Sequence, residues 1–415
     1  MGKGEHTYAV WLGSTLTGLI HQWTDYTRFA FADEYRADPD RSVLGLIFEQ
    51  DLFEPHAANL RLPPWFSNLL PEGVLREWIA ADRGVSVERE MELLAQVGHD
   101  LPGAVRVLPA GIAPPEWIGG SSNGTGEPLL PAEERRGWRF SLAGVQLKFS
   151  MVTEDDRLTL PAYGEGGDWI VKLPDQRYPQ VPRNEFTMMS LAAASGIEVP
   201  EVRLVHREHV TGLPPGVWPN DEEWVYAVRR FDRADGRVPV HIEDLAQVCN
   251  VYPERKYSGN YESVASLLYR RHDIAALQQF ARRLAFMVLI GNGDGHLKNW
   301  SLIYRDPRRP TISPAYDLVA TAPYRVNGHA EDLGLKFGGS KLFGRVHLGL
   351  FRRLQEKLGA TSAALAECVA ETVTRAVDEW PRFEEEVSGS PRLRTEIAEG
   401  LHARAKTLLA GSAAG

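Results

Sequence analysis

Apolar and polar positions alternate differently in successive parts of this 415-residue chain. Strand-like runs come first, at Tyr8–Leu12, Arg28–Phe31 and Val43–Phe48, and helical stretches follow near Val74–Arg83 and Val87–Val97. Residues 1–108 therefore predict a small α+β subdomain. From Pro109 to Gly137 the chain turns to Gly, Pro and Ser (PAGIAPPEWIGGSSNGTGEPLLPAEERRG). Such a composition buries little apolar surface, and 109–137 reads as a linker. Strand patterns then return at Arg139–Phe149 (strand, Gly turn, strand), Asp168–Leu173, Val202–His206 and Glu223–Phe231. Asn184–Ser195 reads as a helix, with Asn184 as its N-cap and Gly196 as its stop. From Ile274 the period becomes helical: Leu277, Phe280, Leu284 and Met287 recur at three- and four-residue steps, which marks one buried face. Leu348–Leu409 is mostly helical. The expected division is a strand-rich part at 138–240 and a helix-rich part at 241–415.

Composition narrows this without changing it. Hydrophobic residues make up 43% and charged residues 24%, ordinary values for a globular chain. No apolar run approaches the eighteen or so residues that cross a bilayer. The first residues lack a basic start followed by an apolar stretch, so no secretory signal is expected. The two cysteines, Cys249 and Cys368, lie far apart and fit no zinc spacing. A cytoplasmic protein is the expectation. The net charge of -9, with arginines dispersed in small groups such as Arg282-Arg283 and Arg308-Arg309, disfavours direct binding to nucleic acid by this chain alone.

The chemistry concentrates at residues 290–299, IGNGDGHLKN, a Gly-rich turn that follows the buried helix. Asp294 and Asn299 stand five residues apart. Protein kinases use this spacing in a loop where an Asp takes the acceptor's proton and an Asn binds magnesium. Trp300–Tyr304, a turn at Asp306–Pro310 and Thr311–Ser313 then read as a hairpin, followed by Tyr316-Asp317-Leu318. In kinases such a hairpin separates the catalytic loop from the metal-binding Asp. Asp294 is thus the catalytic candidate, and Asn299 and Asp317 are the metal candidates. His296, Lys298 and Tyr316 are candidates on the ATP side, with loop bracing as the competing reading for His296. Taken singly, Asp and Asn in a turn are more simply explained by local hydrogen bonds to the backbone.

The strand DWIVK ends on Lys172, which requires an anionic partner if its ammonium turns inward. ATP phosphates could supply that partner, with Glu185 of the next helix orienting the lysine. The stretch SLAGVQLKF, Ser141–Phe149, is the candidate phosphate cover. Gly144 allows a tight turn there, and Ala143, Gly144, Val145, Gln146 and Lys148 are its ATP-binding candidates. Arg230 and Phe231 leave a strand where an adenine-holding hinge would lie. The implied cofactors are ATP and Mg²⁺. The order of parts is that of an α+β, two-lobed protein-kinase-like fold with an N-terminal α+β subdomain and a helical C-terminal lobe.

Six motifs in register, SLAGVQLKF, WIVKLP, RNEF, VRRFDR, NGDGHLKNWSL and SPAYDL, resemble the HipA family of toxin kinases. SNLLPEG at 67–73 looks like part of that family's N-terminal subdomain. The resemblance implies a cytoplasmic serine/threonine kinase that uses ATP and magnesium. It also implies a small helix-turn-helix antitoxin of HipB type as partner, and contact with operator DNA only through that antitoxin. The implied targets are aminoacyl-tRNA synthetases such as glutamyl-tRNA synthetase, and the implied autophosphorylation site is Ser141. His241-Ile242-Glu243-Asp244 resembles the family's Gln-Glu-Asp segment, with Ile242 in place of Gln. Two other readings compete: a nucleotide-binding regulator without transfer activity, and a metal-dependent hydrolase built on Asp294, His296 and Asp317.

Overall fold

The computed structural model describes residues 5–114, 147–154, 157–159, 166–213, 216–324, 332–387 and 389–410. Ser141, Ala143, Gly144, Val145 and Gln146 of the expected phosphate cover, and most of the expected linker, lie outside the described residues.

The N-terminal part forms an antiparallel sheet from β1 (Glu5–Leu12), β2 (Thr15–Trp23), β3 (Tyr26–Phe31), β4 (His56–Asn59) and β5 (Val105–Pro109), in the order β4-β3-β2-β1-β5. Alternate residues of β3, Thr27, Phe29 and Phe31, face inward. They meet Trp65 and Phe66 of α2 (Pro64–Ser67) and Leu93 and Leu94 of α4 (Glu90–Val97) in one apolar core. Two short helices complete this part, α1 (Asp33–Ala37) and α3 (Gly73–Arg83).

The run Val43–Phe48 is not the strand its alternation predicts. It is an irregular stretch that ends in a 3-10 turn from Phe48 to Gln50. Its backbone bonds to side chains about 200 residues later, to the Pro307 carbonyl and within its own turn, rather than to a ladder. The Leu46 N–H donates to Glu243 Oε1 at 3.0 Å, and the Leu44 carbonyl contacts His241 Nε2 at 2.8 Å. Periodicity along one segment cannot reveal partners of that kind.

The next part carries a six-stranded sheet: β6 (Lys148–Glu154), β7 (Arg157–Thr159), β8 (Trp169–Lys172), β9 (Val202–His206), β10 (Val210–Thr211) and β11 (Trp224–Arg229), ordered β10-β7-β6-β8-β11-β9. Helix α5 (Val181–Ala194) packs beside it and places Met188, Met189 and Leu191 in the large core with Tyr226. The helix starts three residues before the predicted cap, behind Gln180 at φ 62°. Asn184 is therefore fully buried inside the helix. It grips residue 320, with Nδ2 donating to the Ala320 carbonyl at 2.9 Å and Oδ1 accepting from the Ala320 N–H at 3.1 Å.

The rest is mainly helical: α6 (Leu245–Val248), α7 (Tyr261–Tyr269), α8 (Ile274–Ile290), α9 (Leu348–Leu358), α10 (Leu365–Phe383) and α11 (Pro391–Leu409). A small sheet joins them, with β12 (His241–Asp244), β13 (Ser301–Asp306) and β14 (Arg309–Ile312) in that order. Helix α8 is the axis of this part. Asp273 caps its N-terminus by accepting from the Ala276 N–H, and Gly291 ends it at φ 69°, a left-handed conformation that glycine adopts freely. The chain thereby leaves the core helix abruptly into residues 292–299.

Candidate active site

The site forms where the end of β8, the N-terminal half of α5 and the turns on either side of β13 and β14 converge. Three strands set the lysine. Lys148 of β6, Lys172 of β8 and Tyr226 of β11 are cross-strand neighbours, so they share one face of the sheet. Lys172 Nζ lies 5.6 Å from the Tyr226 ring centroid. It donates to Glu185 Oε1 at 2.6 Å and to Asp317 Oδ1.

One ammonium thus serves two carboxylates. Burial works against the charge on Lys172, but Asp317 and Glu185 outweigh it and raise its pKa. Burial would likewise raise Asp317, yet Lys172 and Lys148 hold it down at about 2. Glu185 is left with the smaller share of the ammonium. Burial pushes it up to about 7 against the pull of Lys172. In direct contact, then, two carboxylates share one ammonium, while Lys148 acts on both from the same face of the sheet.

Asp317 has φ 54°, a left-handed conformation uncommon for anything but Gly, Asn or Asp. Its carbonyl accepts from Asn292 Nδ2 at 3.2 Å, and Asn292 Oδ1 accepts the Asp294 N–H at 2.9 Å. The fully buried Asn292 thus fixes Asp294 and Asp317 relative to each other. Sequence reasoning missed it, although an Asn two residues before a turn Asp is a known local bonding pattern. Gly295 is closely packed: an added Cβ would sit 1.9 Å from Met287 Cε and 2.6 Å from Tyr261 Oη, so both side chains would have to shift.

Two of the predicted residues fit a magnesium ion. Asn299 Oδ1 is buried and accepts no hydrogen bond among the described residues, and Asp317 shares its one contacting ammonium with Glu185. Oxygen donors of this kind, completed by phosphate and water, suit that ion. By contrast, no group of three His, Cys, Asp or Glu side chains able to hold a metal occurs among the described residues, which removes support from the hydrolase reading.

The structure distributes the other candidates unevenly. Asp294 is about half exposed and accepts a hydrogen bond from Tyr257 Oη. His296 is buried, its Nε2 4.0 Å from Asp294 Oδ1, and burial lowers its pKa. Tyr316 Oη donates to the Lys298 carbonyl at 2.7 Å, and its ring lies 5.5 Å from that of Phe231. Lys298 does not point into the cluster. Its ammonium meets Glu72 at 2.7 Å and the Asn68 carbonyl at 3.0 Å, both in the SNLLPEG stretch. Arg230 is also occupied: its N–H donates to the Asp168 carbonyl at 2.8 Å, and its buried guanidinium meets Asp100 at 3.0 Å and Asp232 at 2.8 Å. Glu243 of the Gln-Glu-Asp-like segment is completely buried and accepts from Leu46, Trp65 and Tyr304, so it is closed to a substrate.

A sheet-borne lysine braced by a helix glutamate, set over a helical lobe with an Asp–Asn loop, defines the α+β two-lobed kinase-like class. Comparison with known proteins agrees. The HipA-like C-terminal domain family matches residues 140–380, and the HipA N-terminal domain family matches residues 8–108. The Sinorhizobium fredii protein named "Putative kinase Y4dM" is 41% identical over 407 residues, covering 95% of this chain and 94% of that one. The serine/threonine-protein kinase toxin HipA of Shewanella oneidensis is 28% identical over 351 residues, covering 77% and 76% respectively. The fold is also that of a chain in the structure of the Shewanella oneidensis HipA, HipB and operator DNA complex, with TM-score 0.71, 21% identity and 97% of each chain covered. The chain belongs to the HipA family of kinases. No helix among the described residues is long and apolar enough to cross a membrane.

Proposed function

We propose that this protein transfers the γ-phosphoryl group of ATP to a serine or threonine hydroxyl of a protein, as the toxin of a toxin–antitoxin pair. The observations that carry the reading are the cluster of Lys172, Glu185 and Asp317 and, in the loop that Asn292 ties to Asp317, a buried Asn299 oxygen that accepts no hydrogen bond among the described residues. Lys172, held charged, grips the nucleotide phosphates, and Glu185 keeps its stem turned inward. Asn299 and Asp317 hold magnesium, which neutralises phosphate charge when bound. Phe231 and Tyr316 border the adenine side. Asp294, exposed to incoming protein, receives the acceptor's proton. Catalysis of this kind rests on position and charge rather than on covalent intermediates. Lys298 takes the part of a brace to the N-terminal subdomain.

One finer point has support in the Shewanella oneidensis complex of HipA with HipB and operator DNA, and the others follow from the family resemblance alone. A HipB-type helix-turn-helix antitoxin is the proposed partner, and operator DNA is reached through it, as the net charge of -9 also favours. The proposed target class is aminoacyl-tRNA synthetases, glutamyl-tRNA synthetase among them. Ser141 is the proposed self-phosphorylation site. The test is incubation with γ-labelled ATP and Mg²⁺, with label mapped by mass spectrometry. Wild type should label, and Asp294→Ala should lose at least a hundredfold in rate while ATP affinity by calorimetry is kept. Wild-type turnover in Asp294→Ala would sink the assignment.

A further inference from the structure

Asp294 poses a geometric problem. Its side chain is about half exposed, and an exposed carboxylate rotates freely unless something fixes it. A proton acceptor contributes fully only when it is aimed at the attacking oxygen. Its N–H and C=O are held inside the loop, by Asn292 Oδ1 at 2.9 Å and the His296 N–H at 2.8 Å. Those bonds fix the main chain but not the carboxylate.

Tyr257 supplies what is missing. Its hydroxyl donates to Asp294 Oδ1, while its ring stands edge-on to His296 with centroids 5.1 Å apart. Tyr257 lies 37 residues before Asp294, in the turn that precedes α7. That turn is itself anchored. The neighbouring Lys256 carbonyl accepts the Leu297 N–H at 3.0 Å, and the Lys256 ammonium meets Glu72 at 2.8 Å. A hydroxyl carried on an anchored turn holds one oxygen of the carboxylate and leaves the other, Oδ2, for the acceptor.

We propose that Tyr257 is a positioning residue for phosphoryl transfer: its hydroxyl aims Asp294 Oδ2 at the acceptor oxygen. The proposal rests on Asp294 being the proton acceptor of a kinase. Tyr257 takes no proton and receives no phosphate. The opposite role, a cap that blocks Asp294 until a target displaces it, predicts the reverse kinetics.

Tyr257→Phe removes only the hydroxyl and keeps the ring against His296, so it separates aiming from packing. Transfer from γ-labelled ATP is measured on the full chain, both to the chain itself and to added dephosphorylated casein. Rates at saturating ATP should fall between roughly ten- and a hundredfold, with ATP affinity by calorimetry unchanged. In an Asp294→Ala background the same substitution should add no further loss, since there is no carboxylate left to aim. A rate equal to wild type, a faster rate, or an undiminished extra loss in the Asp294→Ala background would each overturn the proposal while leaving the kinase reading intact. Absence of transfer by wild type to either acceptor, with ATP bound, would instead remove the kinase reading and this proposal with it.

Discussion

Two charge clusters are tied to the loop at 292–299, one through Asn292 to Asp317 and one through Lys298 to Glu72, and they are built on inverse plans. Near the sheet, one ammonium, Lys172, is shared by two carboxylates, Glu185 and Asp317. Near the N-terminal subdomain, one carboxylate, Glu72, is shared by two ammoniums, Lys256 and Lys298, with Asp244 3.8 Å from Lys298 as a second anion. Counting Asp244, the second cluster pairs two against two within 4 Å, whereas in the first two carboxylates share one contacting ammonium and Lys148 acts on them only from the same face of the sheet. A balanced cluster is complete as a joint between parts of the chain. One whose two carboxylates share a single contacting ammonium has room for a further cation. The difference fits the proposed roles, a ligand place for the first and a structural joint for the second.

The sharpest way to break this contrast is to remove one carboxylate from each cluster. Asp317→Asn leaves Lys172 and Glu185 as a one-to-one pair, and Asn tolerates the left-handed backbone at 317 well. We expect magnesium-dependent nucleotide affinity to fall at least about tenfold, the order of a strong charge-assisted contact, while the melting temperature stays level or rises. Calorimetry with ATP, with and without Mg²⁺, checks the first, and a thermal scan checks the second. A cluster built purely for stability would give the reverse: a lower melting temperature and unchanged binding.

Glu72→Gln probes the other cluster with a smaller effect. Burial would raise the pKa of Glu72, but Lys298 and Lys256 outweigh it and hold it down at about 2. A depressed carboxylate contributes stability above its unfolded pKa and loses it as pH falls through the folded one. This joint therefore persists at every pH where the protein is handled, and only substitution removes it. Because Glu72 is about a third exposed, the expected loss is modest, about 1–2 kcal/mol, read from denaturant unfolding at pH 7. Nucleotide affinity should not change. A loss of nucleotide affinity equal to that of Asp317→Asn would erase the distinction between the clusters.

The contrast also explains what could be read from the sequence. Helix α8, the turn after it and the strand that bears Lys172 were legible, because apolar period, glycine and local spacing act within a few residues. The joint was not. Asn68 and Lys298 stand 230 residues apart, and no local pattern announces that a lysine in a catalytic-type loop bonds to an N-terminal turn. The resemblance flagged SNLLPEG without giving Glu72 a task. Val43–Phe48 failed as a strand for the same reason, since its backbone partners include His241, Glu243 and Pro307. Asn184 was misplaced because a capping residue and a buried asparagine that grips Ala320 look alike in one dimension.

Glu243 provides the finest test, because it belongs to neither plan: a carboxylate with no cation among its hydrogen-bond partners. It is fully buried at the same N-terminal interface as Glu72, and burial pushes it up to about 7 although Tyr304, Leu46 and Trp65 all donate to it. A carboxyl whose folded pKa exceeds its unfolded one binds more protons in the folded state. Its contribution is therefore largest below the unfolded value and shrinks as pH rises through about 7. Glu72, paired with lysines, changes nothing over that window. The melting temperature of wild type should thus decline from pH 5 to pH 8 relative to Glu243→Gln, which cannot ionise, whatever the variant's absolute stability. Parallel curves for the two proteins would show that the three donors keep Glu243 ionised throughout, and that hydrogen bonds alone do for this carboxylate what two lysines do for Glu72.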